Sequence, residues 1–324
     1  MKNIDQSGVV LGVDLGGTNT KYGYVDRTGN CLANSSMPTF AEQSPETFFA
    51  RLHENSIGLF HSLPETAPLI GIGIGAPNAN YYKGTIEHPP NLSWGYVDVR
   101  AQLARYYDIP IAITNDANAA ALGEMLFGAA QGMKDFIVIT LGTGLGSGIV
   151  ANGALIYGAD GFAGEIGHTI VDPNGRECGC GKRGCLETYC SATGLCRTVR
   201  EFLLRSNELS LLRSIDFEEL TAEAVSGAAR KGDRLAVQAF EYTGHILGLK
   251  LSDSVAHLSP EAIIIVGGMA AAGDLIFAPT QRSLEEHLFP IFRNKVKLLP
   301  STLIEGNTAV LGASALIWHD LERF

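Results

Sequence analysis

Near the N-terminus apolar residues come in short blocks. Val9-Val10-Leu11-Gly12-Val13-Asp14-Leu15 predicts a buried strand, and Lys21-Tyr22-Gly23-Tyr24-Val25 predicts its hairpin partner across the turn Gly16-Gly17-Thr18-Asn19. Arg27-Thr28-Gly29-Asn30 then turns the chain into a third strand. Helical spacing runs from about Pro45 to Ser62, strands are predicted over 69–74 and 109–114, and a helix runs from Asp116 to Phe127. This alternation is that of an α/β fold.

A second cycle then begins. Phe136-Ile137-Val138-Ile139-Thr140-Leu141 is an apolar strand, Gly142-Thr143-Gly144-Leu145-Gly146 a glycine turn, and Ser147-Gly148-Ile149-Val150 the returning strand. The repeat of strand, Gly/Thr turn and strand predicts two related domains that each offer a glycine turn to one shared ligand. Residues 191–206, 217–230 and 233–257 read as helices, Ala262-Ile263-Ile264-Ile265-Val266 as a buried strand, and 308–321 as a helix. A chain of 324 residues exceeds one comfortable core. The expected division is a smaller domain of residues 1–118 plus the terminal helix 305–324, and a larger one of 119–304.

Hydrophobic content of 46% and charged content of 18% fit a globular protein and exclude intrinsic disorder. The formal net charge of −10, from 34 acidic and 24 basic residues, repels nucleic-acid phosphates, so no nucleic-acid partner is expected. No run of 18 or more apolar residues occurs, and Met1-Lys2-Asn3-Ile4-Asp5-Gln6 is too short and polar to open a signal peptide. A cytoplasmic protein without a membrane partner is the expectation.

Chemistry concentrates in the turns. Asp14-Leu15-Gly16-Gly17-Thr18-Asn19 has what a phosphate cradle needs: residues without a Cβ, so that backbone N–H groups can approach an anion, and side chains that donate hydrogen bonds. Asp14 at the strand end could hold magnesium through water. An ordinary hairpin with a strand-terminal aspartate would read the same in isolation, but Thr140–Gly146 repeats the pattern. A third turn, Val266-Gly267-Gly268-Met269, follows a strand and would let a flat base lie against the backbone. The three turns together resemble the actin-like ATPase superfamily (ribonuclease H-like fold), in which two phosphate loops and an adenosine loop surround a cleft. That likeness leaves kinase, chaperone and filament open.

Three of the six cysteines, Cys178, Cys180 and Cys185, fall close together, while Cys31, Cys190 and Cys196 stand apart. With His168 of Glu165-Ile166-Gly167-His168 they make the four-ligand set that zinc prefers, in a loop whose glycines can wrap an ion. A closed Cys₃His site leaves no open position for substrate, so the metal would be structural.

This block and the glycine turns, from Leu11 to about Gly268, resemble the ROK family (repressors, open reading frames and kinases). The parts stand in family order: Leu11–Thr18, Pro90-Asn91-Leu92, Thr114-Asn115-Asp116-Ala117-Asn118-Ala119-Ala120, Thr140–Gly144, then the cysteine block. Within the family, Gly73-Ile74-Gly75-Ala76-Pro77-Asn78 and Gly84-Thr85-Ile86-Glu87 are most similar to the bacterial glucokinases. The resemblance implies ATP, magnesium, structural zinc, a hexose acceptor and a homodimer. It makes Asp116 the general base and gives the sugar to Asn91, Asn115, Asp116, Glu165, His168 and Glu187. Nucleotide contacts would come from Asp14, Gly16, Gly17, Thr18, Asn19, Lys21, Gly142, Thr143, Gly144, Gly267 and Gly268, and metal ligands from His168, Cys178, Cys180 and Cys185.

Kinases for N-acetylmannosamine, N-acetylglucosamine, fructose and allose share this framework. The family's repressors carry a helix-turn-helix domain of several tens of residues ahead of the first turn, whereas here Asp14 comes early, so repression is not expected. Because both phosphate turns lie outside the cysteine loop in sequence, loss of metal is expected to weaken sugar binding more than nucleotide binding.

Overall fold

The computed structural model describes residues 8–63, 67–303 and 306–323; the polar run Met1–Gln6 and the expected 304/305 boundary lie outside the described residues. The first sheet contains β1 (Val9–Leu15), β2 (Asn19–Val25), β3 (Cys31–Pro38), β4 (Leu69–Gly75) and β8 (Ile111–Thr114), in the order β3-β2-β1-β4-β8. The second contains β9 (Phe136–Leu141), β10 (Leu145–Ala151), β11 (Ala154–Leu155), β12 (Ala262–Val266) and β13 (Lys297–Pro300), in the order β11-β10-β9-β12-β13. Each sheet opens with antiparallel neighbours and continues with parallel ones, so the repeat read in the sequence is a repeat of topology. A small third sheet joins β5 (Ala79–Asn80), β6 (Thr85–Glu87) and β7 (Tyr96–Asp98).

The helices are α1 (Pro45–Phe60), α2 (Val99–Leu103), α3 (Asp116–Phe127), α4 (Glu187–Cys190), α5 (Ala192–Arg205), α6 (Ala222–Arg230), α7 (Arg234–Leu258), α8 (Asp274–His287) and α9 (Thr308–Arg323). Strand alternation sorts them into layers. Val9, Leu11 and Val13 point to one face of the first sheet and pack with Phe48, Phe49 and Leu52 of α1, while Val10 points to the other face and packs with Leu311 and Trp318 of α9. In the second sheet Ile137, Ile139 and Leu141 join the core beneath α5–α8, and Phe136 and Val138 join the core shared with α3 and α9. Helices α3 and α9 therefore lie between the two sheets.

That middle layer is possible because glycine occupies the contact points. A Cβ on Gly12 of β1 would lie 2.4 Å from the carbonyl oxygen of Val310, and one on Gly73 of β4 would lie 2.0 Å from that of Ala313. Where α3 meets its neighbours the spacing is as tight: a Cβ on Gly312 would lie 2.8 Å from the Ala119 oxygen, and one on Gly148 of β10 would lie 2.7 Å from that of Ala117.

Several boundaries differ from expectation for local reasons. The strand expected to start at residue 109 begins at Ile111, because Pro110 has no N–H for the ladder and only its carbonyl accepts, from the Ile72 N–H at 3.0 Å. The second glycine turn is shorter than expected, since Leu145 already pairs with Leu141. The helix expected from 217 starts at Ala222, where Thr221 caps it by accepting from the Ala224 N–H at 3.1 Å. Helix α8 and strand β13 were not anticipated. Pro279 inside α8 suppresses its helical reading, and β13 is a four-residue edge strand ending in Pro300.

Substituting Gly73 by alanine is expected to destabilise the protein by about 1–3 kcal/mol, the usual cost of overpacking against rigid backbone. Gly58 of α1, where a Cβ would meet nothing within 4 Å, is the matched control. Gly58→Ala should be neutral or stabilising by up to about 1 kcal/mol, and urea denaturation of the two variants checks both values.

Candidate active site

The cleft of about 970 Å³ is lined by twelve of the residues singled out in the sequence: Asp14, Lys21, Asn91, Asn115, Asp116, Gly142, Thr143, Gly144, Glu165, Glu187, Gly267 and Gly268. Gly16–Asn19 form the adjoining turn without lining the cleft, and His168 lies behind Glu165 and Glu187.

The first turn is fixed from beneath. The Thr39 hydroxyl donates to the Gly16 carbonyl at 2.7 Å and is itself bonded to the buried Thr20 hydroxyl at 2.9 Å. Gly17 faces Asn91 so closely that a Cβ would lie 2.7 Å from the asparagine Cβ, so this turn helps to place a cleft side chain. In the second turn the Gly142 N–H bonds the Gly144 carbonyl at 3.1 Å. The N–H groups of Gly17, Thr18, Thr143 and Gly144 have no acceptor among the described residues, which suits an anionic ligand. The third turn carries Gly267 at φ 98°, a left-handed conformation that only glycine adopts without strain.

Asp116 is the first residue of α3, where the sequence reading began that helix. Strand β8 stops at Thr114, and Asn115 caps the helix by accepting from the Ala117 N–H at 2.8 Å. The Asp116 carboxylate accepts from the same N–H, also at 2.8 Å. Asp116 and Glu165 are open to water, but only to the water of a deep cleft, and the protein atoms crowded around each carboxylate cost it solvation. Burial accordingly raises the pKa of Asp116 against the opposing hydrogen bond from Ala117. Burial also raises Glu165, with His168 opposing and the charges of Asp116 and Glu187 adding to the rise. Asp14 is pushed up to about 6, first by burial and then by Asp116, against the pull of Lys21, its cross-strand partner.

Beside these carboxylates His168, Cys178, Cys180 and Cys185 converge, with all four potential ligand atoms within 4.8 Å of one another. Cys178 Sγ lies 3.7 Å from His168 Nδ1, and the sulfurs of Cys180 and Cys185 are 3.7 Å apart. Ligands about 2.0–2.3 Å from a tetrahedral zinc ion stand roughly 3.5–3.8 Å from each other, so the cluster fits such an ion. Nε2 of His168 points the other way, 3.9 Å from Glu165 Oε2, while its Nδ1 is 3.6 Å from Glu187 Oε1. Cys31, Cys190 and Cys196 do not join the cluster; Cys190 is buried and its thiol donates to the Thr243 carbonyl at 3.4 Å.

Sequence reasoning missed two contributors. Arg176 is buried at the start of the cysteine loop, donating twice to Glu201 at 3.0 Å and to the carbonyls of Thr188 at 2.7 Å and Gly194 at 3.2 Å, with its guanidinium 4.5 Å over the Tyr189 ring. A lone arginine in a polar loop gives no signal of this. Ser301 and Leu303 line the cleft from the segment after β13, which went unread with the strand itself.

Two glycine-turn sheets around a cleft define an actin-like ATPase fold. The chain belongs to the ROK family, whose profile it matches over residues 10–320. The glucokinase of Halalkalibacterium halodurans is 36% identical over 316 residues, spanning 95% of this chain and 94% of that one. The crystal structure of a ROK family glucokinase from Streptomyces griseus in complex with glucose and AMPPNP superposes with a TM-score of 0.80 at 33% identity, over 95% of this chain and 99% of that one. A ROK family transcriptional regulator, a homologue of the E. coli MLC protein, superposes with a TM-score of 0.87 at 27% identity, over 97% of this chain and 78% of its own. Backbone likeness thus spans both branches of the family, and the side chains in the cleft must separate them.

The raised pKa of Asp14 has a signed consequence. Its folded-state pKa of about 6 exceeds the ordinary 3.8, so the folded protein holds the proton more tightly and loses stability as pH rises from about 4 to about 6. Asp14→Asn should therefore stabilise the ligand-free protein at pH 7 by about 1–2 kcal/mol, allowing for solvent screening, and by almost nothing at pH 4. Denaturant titrations at the two pH values check the sign.

Proposed function

We propose that the protein is an ATP-dependent hexose kinase that phosphorylates the 6-hydroxyl of glucose. The carrying observation is Asp116: a carboxylate of raised basicity, on a helix N-terminus, in one cleft with sugar-type ligands and two glycine turns. The two glucokinases named above support glucose as acceptor. A regulator's sugar pocket needs no base, and a pure ATPase needs no such set of carboxylates and carboxamides.

In this mechanism Asn91, Asn115, Glu165, His168 and Glu187 hold the sugar hydroxyls, and Asp116 takes the proton of the 6-hydroxyl as its oxygen attacks the γ-phosphorus of ATP in line. The new oxygen–phosphorus bond forms as the bond to the β-phosphate oxygen breaks, giving glucose 6-phosphate and ADP. Burial helps, because a poorly solvated carboxylate is a stronger base. N–H groups of the two phosphate turns stabilise charge on the transferring group, Lys21 adds a positive charge, and Gly267-Gly268 takes the adenosine. Magnesium, when bound with ATP, supplies charge neutralisation, and Asp14 is the residue suited to hold it through water.

Zinc on His168, Cys178, Cys180 and Cys185 would be structural. Cys178 Sγ lies 2.9 Å from Glu187 Oε1; a metal-bound thiolate would not donate to it, leaving that oxygen to accept from a sugar hydroxyl. With Nδ1 on the metal, His168 presents Nε2–H to the sugar. The proposed domain division, 1–118 with 305–324 and 119–304, puts the phosphate turns on opposite sides of the cleft; its boundary at 118 cuts into α3. A cytoplasmic homodimer completes the proposal; no helix among the described residues is long and apolar enough to cross a membrane.

Asp116→Asn should lower kcat by about two to four orders of magnitude while glucose affinity changes far less. A coupled ADP-release assay over a hexose panel, with calorimetric glucose titration, measures both; near-normal kcat in the folded variant would remove Asp116 as base. Cys180→Ser should reduce zinc content by elemental analysis, lower the melting temperature and weaken glucose binding together. A metal-free wild-type protein that binds glucose at full strength would return the cysteines to ordinary loop thiols.

A further inference from the structure

Both phosphate turns lie outside the cysteine loop in sequence, but the fold brings the second against the residues that leave that loop. The second, Gly142-Thr143-Gly144, is gripped by the residues that follow Glu187. The Ala192 N–H donates to the Gly142 carbonyl at 2.9 Å, and the Thr193 hydroxyl donates to the Thr143 carbonyl at 2.9 Å. At the far end of the turn a Cβ on Gly144 would lie 2.9 Å from Glu187 Oε2, so glycine is required for the carboxylate to sit there. Ser191 joins the two grips: its hydroxyl donates to the Glu187 carbonyl at 2.7 Å and accepts from the Gly194 N–H at 3.0 Å, capping α5. Arg176 holds the same junction from behind, through the carbonyls of Thr188 and Gly194.

The contacts close into a ring. The Glu187 carboxylate fills the space a side chain at Gly144 would take; Ser191 ties Glu187 to the first turn of α5; Ala192 and Thr193 of that turn hold Gly142 and Thr143. Both carbonyls at the start of the phosphate turn are thereby occupied, which fixes the peptide planes and with them the direction of the unpaired Thr143 and Gly144 N–H groups. Glu187 is thus linked to the carbonyls of the turn through Ser191 and the start of α5.

Building on the kinase reading above, we propose that Thr193 is a positioning residue for the nucleotide and that the ring Glu187–Ser191–Thr193–Thr143–Gly144 makes hexose and nucleotide binding mutually reinforcing. Thr193 need not touch either substrate; it acts through the Thr143 carbonyl. By linkage, the factor by which glucose strengthens nucleotide binding equals that by which nucleotide strengthens glucose binding. Loss of the metal loop then weakens both ligands, because the loop leads directly into Glu187 and α5.

The test is calorimetric titration of AMPPNP and of glucose, each with and without the other, on wild type, Thr193→Val and Thr193→Ser. Thr193 is exposed, so valine removes the donor at nearly constant shape without disturbing the core. Wild type should bind AMPPNP more tightly with glucose present. Thr193→Val should bind AMPPNP about three- to tenfold more weakly, the effect of one lost hydrogen bond, with less strengthening by glucose and unchanged affinity for glucose alone. Thr193→Ser should restore the wild-type pattern. If wild type binds neither ligand, the kinase reading fails and this inference with it. If wild type binds both and Thr193→Val matches it in AMPPNP affinity and in coupling, or if serine does not restore them, this inference alone is overturned.

Discussion

The arrangement depends on how closely two helices can approach two sheets. Gly12 and Gly73 let α9 lie with its backbone on β1 and β4, and Gly148 and Gly312 let α3 wedge against β10 and α9. With a side chain at any of these points the backbones would have to separate, and the pair of helices could not fill the layer between the sheets. That layer aims α3. Its N-terminus opens into the cleft, so the Asp116 carboxylate sits on an element gripped by both halves of the molecule rather than on a free loop.

Charge in the cleft has its own logic. Asp14, Asp116, Glu165 and Glu187 place four carboxylates around one cavity, and the burial that raises the first three is a standing cost of the ligand-free protein. Lys21 brings a positive charge opposite Asp14, and His168 stands between Glu165 and Glu187. A site charged against itself in this way favours ligands that bring hydroxyl donors or a cation.

Much of this was readable from the chain because the signals are local. The two hairpins announce themselves as apolar runs broken by glycine, and a Cys–X–Cys with a nearby third cysteine and histidine needs no tertiary information to suggest a metal. What escaped is non-local or locally contradicted. Thr193 meets Thr143 across fifty positions, Arg176 finds Glu201 across 25, and neither pair has any spacing signature. The start of α3 at Asp116 was legible, but Asn115 was read only as part of the motif and not as the helix cap, although its type is among the best for that position. Pro279 hid α8, where it packs against Gly244 of α7.

The position of α9 also constrains the order of events as the chain is made. The inner face of the first sheet, with Val10, Gly12 and Gly73, is covered by a helix of 16 residues that begins at Thr308. During synthesis β1 to β4 can pair and bury their outer face against α1, yet their inner face stays bare until the chain has been made through α9, more than 200 residues after β4. The first half is thus the first to be translated and the last to be completed. Translation stalled before α9 would leave an apolar sheet face uncovered, the condition under which nascent chains engage chaperones or aggregate.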